Sequence, residues 1–155
     1  MGREIERKFR VVGPPPWLER APAQLIDQGY LAIAETSEVR LRRINSESVL
    51  TVKRGHGEDR FEEEVALSDE QVAALWPLTE GCRLHKRRHT VEGAPAIEVD
   101  VYLDDLAGLI IAEVEFDSMD AADAFEPPDW IGEELTDDER YANQQLALHG
   151  LPSDA

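Results

Sequence analysis

The sequence predicts an α+β fold: an eight-stranded β-barrel with a charged interior and helices packed outside. Three observations carry this expectation. Eight stretches show the alternation of half-buried strands, at 4–11, 24–35, 37–44, 48–54, 60–67, 83–91, 96–103 and 108–116. On most of them one face is charged and several opposite faces are apolar. Eight strands are also about the number that closes a barrel around side chains or one small ligand.

Turn chemistry separates several of these stretches, with Asn45-Ser46, Gly55-His56-Gly57 and Glu92-Gly93 between them. Pro14-Pro15-Pro16 begins a short helix, since proline is tolerated in a first turn. Ser68-Asp69-Glu70-Gln71 reads as a capping box whose helix is stopped by Pro77. Ser118 caps a third helix. Thr136-Asp137-Asp138-Glu139 reads as a second capping box, opening a helix that closes at His149-Gly150. At 155 residues, with no repeat and no low-complexity linker, the chain is expected to form one domain over 1–155.

Charge sets the first limit on function. Sixteen Lys and Arg stand against 33 Asp and Glu, a net charge of −17. Nucleic acid and anionic membranes are bound chiefly through cations that neutralise phosphate, so neither is an expected partner. An anionic ligand would have to be drawn by a local cationic cluster. The single cysteine, Cys82, excludes an intrachain disulfide and a Cys-based zinc site. With no apolar leader or membrane-length run, a cytoplasmic location is expected.

Residues two apart on a strand share a face. One such face collects Glu4, Glu6 and Lys8, then Arg40 and Arg42, Lys53, Glu62 and Glu64, Lys86 and Arg88, Glu98 and Asp100, and Glu113 and Glu115. The opposite faces carry Val39 and Leu41, Leu50 and Val52, Ile97, Val99, Val101 and Leu103, and Ala112, Val114 and Phe116. A solvated face would mix signs along each strand to gain cross-strand pairs. Here the third, fourth and sixth stretches are cationic and the fifth, seventh and eighth acidic. Neighbouring like charges cost free energy unless a metal or opposing cations compensate, which favours an enclosed interior. Paired carboxylates without Cys or a His cluster select hard cations such as Mg2+ or Mn2+. Lys and Arg supply donors that match phosphate oxygens. Together they describe a pocket for a metal-complexed polyphosphate, where metal ions position the chain and activate water while cations stabilise transferred charge.

Glu4-Ile5-Glu6-Arg7-Lys8 resembles the ExExK signature of the CYTH superfamily, the triphosphate tunnel metalloenzymes. Gln28-Gly29-Tyr30-Leu31, Val39-Arg40-Leu41-Arg42, Leu50-Thr51-Val52-Lys53-Arg54-Gly55 and Phe61-Glu62-Glu63-Glu64-Val65 resemble its successive strands in order. Lys86-Arg87-Arg88, Ile97-Glu98-Val99-Asp100, Ala112-Glu113-Val114-Glu115-Phe116 and the tail from Glu134 to Asn143 complete the set. The resemblance implies a closed antiparallel tunnel of eight strands. It implies a divalent-metal site at Glu4, Glu6, Glu113 and Glu115, and phosphate contacts from Lys8, Arg40, Arg42, Lys53, Lys86 and Arg88. Glu62, Glu64, Glu98 and Asp100 would form the remaining acidic wall, serving a second metal. Glu6, Lys8, Lys86 and Glu115 are expected to carry the reaction.

The expected activity is metal-dependent hydrolysis of a linear triphosphate, foremost inorganic tripolyphosphate to pyrophosphate and phosphate. Class IV adenylate cyclase, thiamine triphosphatase and a non-catalytic polyphosphate-binding module stand as alternatives, and a homodimer is compatible with the sequence. Tyr30, Trp17, Trp76 and Trp130 are read as packing residues. His56, His85, His89 and His149 lack metal-ligand spacing, and no base adjoins Cys82.

Overall fold

Charged and apolar residues alternate along each strand, so a sheet built from them has one ionic face and one greasy face. The computed structural model describes residues 2–56 and 59–153, with residues 2–4, 56 and 59 described for their backbone. Among the described residues nine strands form: β1 (Gly2–Glu4), β2 (Glu6–Arg10), β3 (Ala23–Ile33), β4 (Ser37–Ile44), β5 (Glu47–His56), β6 (Asp59–Leu67), β7 (Arg83–Val91), β8 (Ile97–Tyr102) and β9 (Ile110–Glu115). Three α-helices accompany them, α1 (Asp69–Leu75), α2 (Met119–Ala124) and α3 (Asn143–His149).

All nine strands belong to one antiparallel sheet in the order β1-β6-β5-β4-β3-β7-β8-β9-β2. This corrects the closed eight-stranded barrel expected from the pattern. The N-terminal strand divides at Ile5, whose carbonyl accepts from Phe116 N at 2.8 Å. Residues before Ile5 pair with β6 and residues after it pair with β9. The two edges of the curled sheet are thus consecutive pieces of one segment, and no ladder joins them.

The apolar face of β2, β8 and β9 packs outward. Phe9, Val99, Ala112 and Val114 form a cluster with Leu18 and Ile131, against which Phe116, Phe125 and Trp130 lean. Arg7 fastens this cover. Its guanidinium makes hydrogen bonds of 2.7 and 2.9 Å to the Glu134 carboxylate and donates to the carbonyls of Ala122 and Phe125. Trp17 and Trp130 meet edge to face at 5.7 Å. On β3, Gly29 lets the Trp76–Thr79 turn come close: a Cβ there would stand 2.6 Å from Thr79.

Helices α1 and α2 start where the sequence predicts. Ser68 and Gln71 cap reciprocally at α1, and Ser118 accepts from Ala121 N at α2. The second predicted capping box does not form. The Thr136 hydroxyl is spent elsewhere, accepting from Lys8 N at 3.0 Å and donating to Glu134 at 2.6 Å. A 3-10 turn at Glu139–Tyr141, capped by Asp138, follows, and α3 begins only at Asn143. Nor do all helices pack outside. Leu146 of α3, with Leu135 and Tyr141, lies against Leu84, Tyr102 and Ile111. Those three share their strands' face with Lys86, Asp100 and Glu113, so the C-terminal segment covers part of the concave side.

Candidate active site

Cross-strand register brings the charged residues into rows. Lys53 lies between Glu38 and Glu62, and Thr51 between Arg40 and Glu64. Glu6 faces Glu115, and Glu113 lies between Lys8 and Glu98. A bulge in β3 after Tyr30 keeps that residue opposite Arg40 before the register shifts. Apart from Thr51, these side chains line one cavity of about 130 Å3, to which every strand from β2 to β9 contributes. Its wall comprises Glu6 and Lys8, Tyr30, Glu38 with Arg40 and Arg42, Lys53, Arg60 with Glu62 and Glu64, Arg88, Glu98, and Glu113 with Glu115. Ala142 and Asn143 complete it from the C-terminal segment. The ionic face is therefore the enclosed one. A wider cavity of about 610 Å3 adjoins it, sharing Glu6, Lys8, Glu38, Lys53 and Arg60 and extending to the β3–β4 turn and residues 135–139.

Ion pairs neutralise much of this wall. Arg88 lies 3.2 Å from Glu98 and 3.7 Å from Glu113, Lys8 is 3.8 Å from Glu113, Lys53 is 3.6 Å from Glu62, and Arg60 is 3.3 Å from Glu38. Burial alone would raise the Glu113 carboxyl, but Lys8, Lys86 and Arg88 outweigh it and hold it below its ordinary 4.5. Arg42 lies beside two further guanidiniums, Arg40 and Arg88. Burial first, and then Arg40 and Arg88, lower Arg42 to about 10, and its Nε donates to the neutral amide of Gln28 at 2.9 Å. Gln28 Nε2 in turn donates to the Tyr30 hydroxyl at 2.6 Å. Burial, aided by Glu38, raises Tyr30, so the phenol stays protonated at neutral pH.

Two of the expected site residues are not brought to the cavity. Lys86 and Asp100 have no exposed side-chain surface. Asp100 accepts from Lys86 at 2.7 Å and from Arg88 at 2.7 and 2.8 Å, which occupies both carboxylate oxygens. In this structure Asp100 is the buried counter-ion of Lys86 and Arg88. Burial lowers the Lys86 ammonium, against the pull of Asp100, to about 7. The side chain of Glu4 lies outside the described residues. The other expected residues, Glu6, Lys8, Arg40, Arg42, Lys53, Glu62, Glu64, Arg88, Glu98, Glu113 and Glu115, are gathered. Among the described residues no His, Cys, Asp or Glu cluster already stands as a three-ligand metal site.

Sequence reasoning missed Glu38, Arg60 and Asn143 and took Tyr30 for packing. Glu38 and Arg60 continue the alternation of Arg40-Arg42 and Glu62-Glu64, so the signal was there. Asn143 has none, because it arrives from a non-sheet segment. Thr51 was also passed over. It is wholly buried, and among the described residues its hydroxyl has no hydrogen-bond partner. Such a group carries a desolvation cost of roughly 1–3 kcal/mol. Thr51→Val is therefore expected to leave the unfolding free energy unchanged or raise it by up to about that amount. Urea unfolding checks this, and a clear loss of stability would mean that the hydroxyl is satisfied.

A family model of the CYTH domain matches residues 2–147. The chain belongs to the CYTH family. Its similarity to other CYTH proteins extends over nearly full length. It is 44% identical over 149 residues to an inorganic triphosphatase of Nitrosomonas europaea, covering 94% of this chain and 97% of that one. It is 38% identical over 149 residues to an inorganic triphosphatase of Acetivibrio thermocellus, covering 94% of both. The crystal structure of an inorganic triphosphatase superposes with a TM-score of 0.70 at 41% identity, over 96% of each chain. Among the described residues of this CYTH chain, no helix is long and apolar enough to cross a membrane.

Proposed function

We propose that this chain is a divalent-metal-dependent hydrolase of a linear triphosphate, with inorganic tripolyphosphate as substrate and the whole of 1–155 acting as one tunnel domain around it. The observation that carries this is the convergence of Arg40, Arg42 and Arg88 in a walled cavity. Arg42 bears the cost of burial beside two other cations, and a polyanion in the cavity relieves it. Two relatives of nearly full-length similarity are named inorganic triphosphatases, which supports the same reading.

In this reading Arg40, Arg42, Arg88, Lys8 and Lys53 hold the non-bridging oxygens, the guanidiniums taking two at once. Asp100 fixes the Arg88 fork from behind. The carboxylates opposite fit a hard cation, because Glu6 and Glu115 face each other in register, as do Glu98 and Glu113, and offer only oxygen. Glu6, Glu115 and Glu113 would hold Mg2+ or Mn2+, with Glu62, Glu64 and Glu98 on the remaining acidic wall. Such an ion would offset phosphate charge and favour hydroxide at neutral pH. The Tyr30 hydroxyl accepts from Gln28 and keeps its own proton for an oxygen in the cavity. Arg40, Lys53 and Arg88 are buried, where solvent screens their charge less than at the surface.

The test is release of phosphate and pyrophosphate from tripolyphosphate, ATP and thiamine triphosphate, with Mg2+, Mn2+ or EDTA. Cleavage of tripolyphosphate above the others, lost in EDTA, is expected. Cyclic AMP from ATP would instead assign a cyclase. Binding of tripolyphosphate with no turnover would leave a binding module.

A further inference from the structure

Among the described residues, Asn143 is the one polar residue that lines the small cavity from outside the sheet. Its carboxamide is oriented. The Tyr102 hydroxyl donates to Asn143 Oδ1 at 2.5 Å, and a phenol has one proton to give. Tyr102 is itself fixed, with no more than 1% of its surface exposed and the Lys86 ammonium 5.6 Å from its ring centroid. With Oδ1 turned to Tyr102, Nδ2 forms the other arm of the planar carboxamide. Among the described residues it donates to no acceptor. A charge-neutral donor is thus held in place, with no protein partner, in a cavity whose other polar groups are nearly all ionised.

Resting on the triphosphatase reading, we propose that Asn143 is a substrate-contacting residue whose Nδ2 donates to a non-bridging phosphate oxygen, and that Tyr102 is the positioning residue that aims it. The neutral amide suits this place. It adds a donor without another cation beside Arg40, Arg42 and Arg88. It also avoids a further carboxylate near Glu113 and Glu115, which an aspartate of the same shape would supply. The C-terminal segment is then part of the recognition surface as well as a cover for the apolar part of the concave face.

The experiment measures tripolyphosphate binding by calorimetry in EDTA, together with KM and kcat in Mg2+, for the full chain and for Asn143→Ala, Asn143→Asp and Tyr102→Phe. Loss of one hydrogen bond to a charged oxygen is expected to weaken binding by about tenfold in Asn143→Ala, and the added negative charge to weaken it further in Asn143→Asp. Tyr102→Phe should weaken binding to a smaller extent and add little once Asn143 is alanine, because the two act through one contact. The change falls mainly on KM. Thermal unfolding of each variant separates binding from folding. If Asn143→Ala and Asn143→Asp bind as tightly as the wild type, or if they lose thermal stability with KM unchanged, Asn143 is structural and the inference falls while the triphosphatase reading stands. If the wild type itself neither binds nor cleaves tripolyphosphate, both fall.

Discussion

Arg42→Ala is expected to lower kcat/KM for tripolyphosphate by roughly two to three decades, the usual cost of removing one preorganised charge-stabilising donor from an enclosed site. Arg42 is the member of the guanidinium triad whose environment opposes its charge most openly. Burial, Arg40 and Arg88 all lower its pKa, yet at about 10 it remains cationic at neutral pH. The bond to Gln28 aims the side chain without neutralising it. A residue kept in such a position for folding alone would be replaced at no loss. Stability should therefore move the other way: relief of repulsion is expected to hold or raise the melting temperature of Arg42→Ala while activity collapses. Arg42→Lys keeps the charge but loses the planar fork, and should recover part of the rate. Steady-state kinetics beside thermal unfolding reads both effects. A variant of normal kcat/KM, or one inactive because it is unfolded, would remove Arg42 from substrate binding.

The strands and the site were legible for one reason: the enclosed face is ionic. Alternation is visible only when the two faces differ in chemistry, and here Arg40-Leu41-Arg42, Glu98-Val99-Asp100 and Glu113-Val114-Glu115 spell out the contrast residue by residue. The same rule explains what was lost. Leu84, Tyr102 and Ile111 face inward too, but they are apolar, so nothing in the sequence marks them as concave-side residues or shows that α3 covers them. Closure was misjudged because alternation counts strands and is silent on pairing. The switch of partners at Ile5 depends on the sheet's curl, a tertiary property. The second capping box failed through competition, since Lys8 N and Glu134 claim the Thr136 hydroxyl. Pattern also cannot separate a wall residue from one beneath it. Lys86 and Asp100 have the right face and the right charge, and only three-dimensional burial shows that they satisfy each other.

That buried cluster makes a stability prediction. Asp100→Asn is expected to cost about 1–3 kcal/mol, because Arg88 loses the carboxylate that holds Nε and Nη2, while Lys86, at about 7 even beside Asp100, sheds its proton. Neither Lys86 nor Asp100 has any exposed side-chain surface, so solvent cannot make up the loss. The pH dependence carries the signature. Burial alone would raise the Asp100 carboxyl, but the charges and hydrogen bonds of Lys86 and Arg88 hold it well below its ordinary 3.8. A carboxyl with a depressed folded-state pKa stabilises fully above its unfolded pKa, and that stability is lost as pH falls through the folded value. The wild type should therefore weaken steeply in acid below pH 3.8, where the unfolded chain takes up a proton that the native state refuses. Asp100→Asn should start lower at neutral pH and lose less over the same acid range. Urea unfolding from neutral to acid pH measures both curves. Turnover adds a second readout, since Arg88 loses its aim when Asp100 no longer holds Nε and Nη2, and kcat/KM should fall even where the variant remains folded. Parallel acid profiles, or a neutral-pH cost under about 1 kcal/mol, would mean that this ion cluster does not hold the floor of the site.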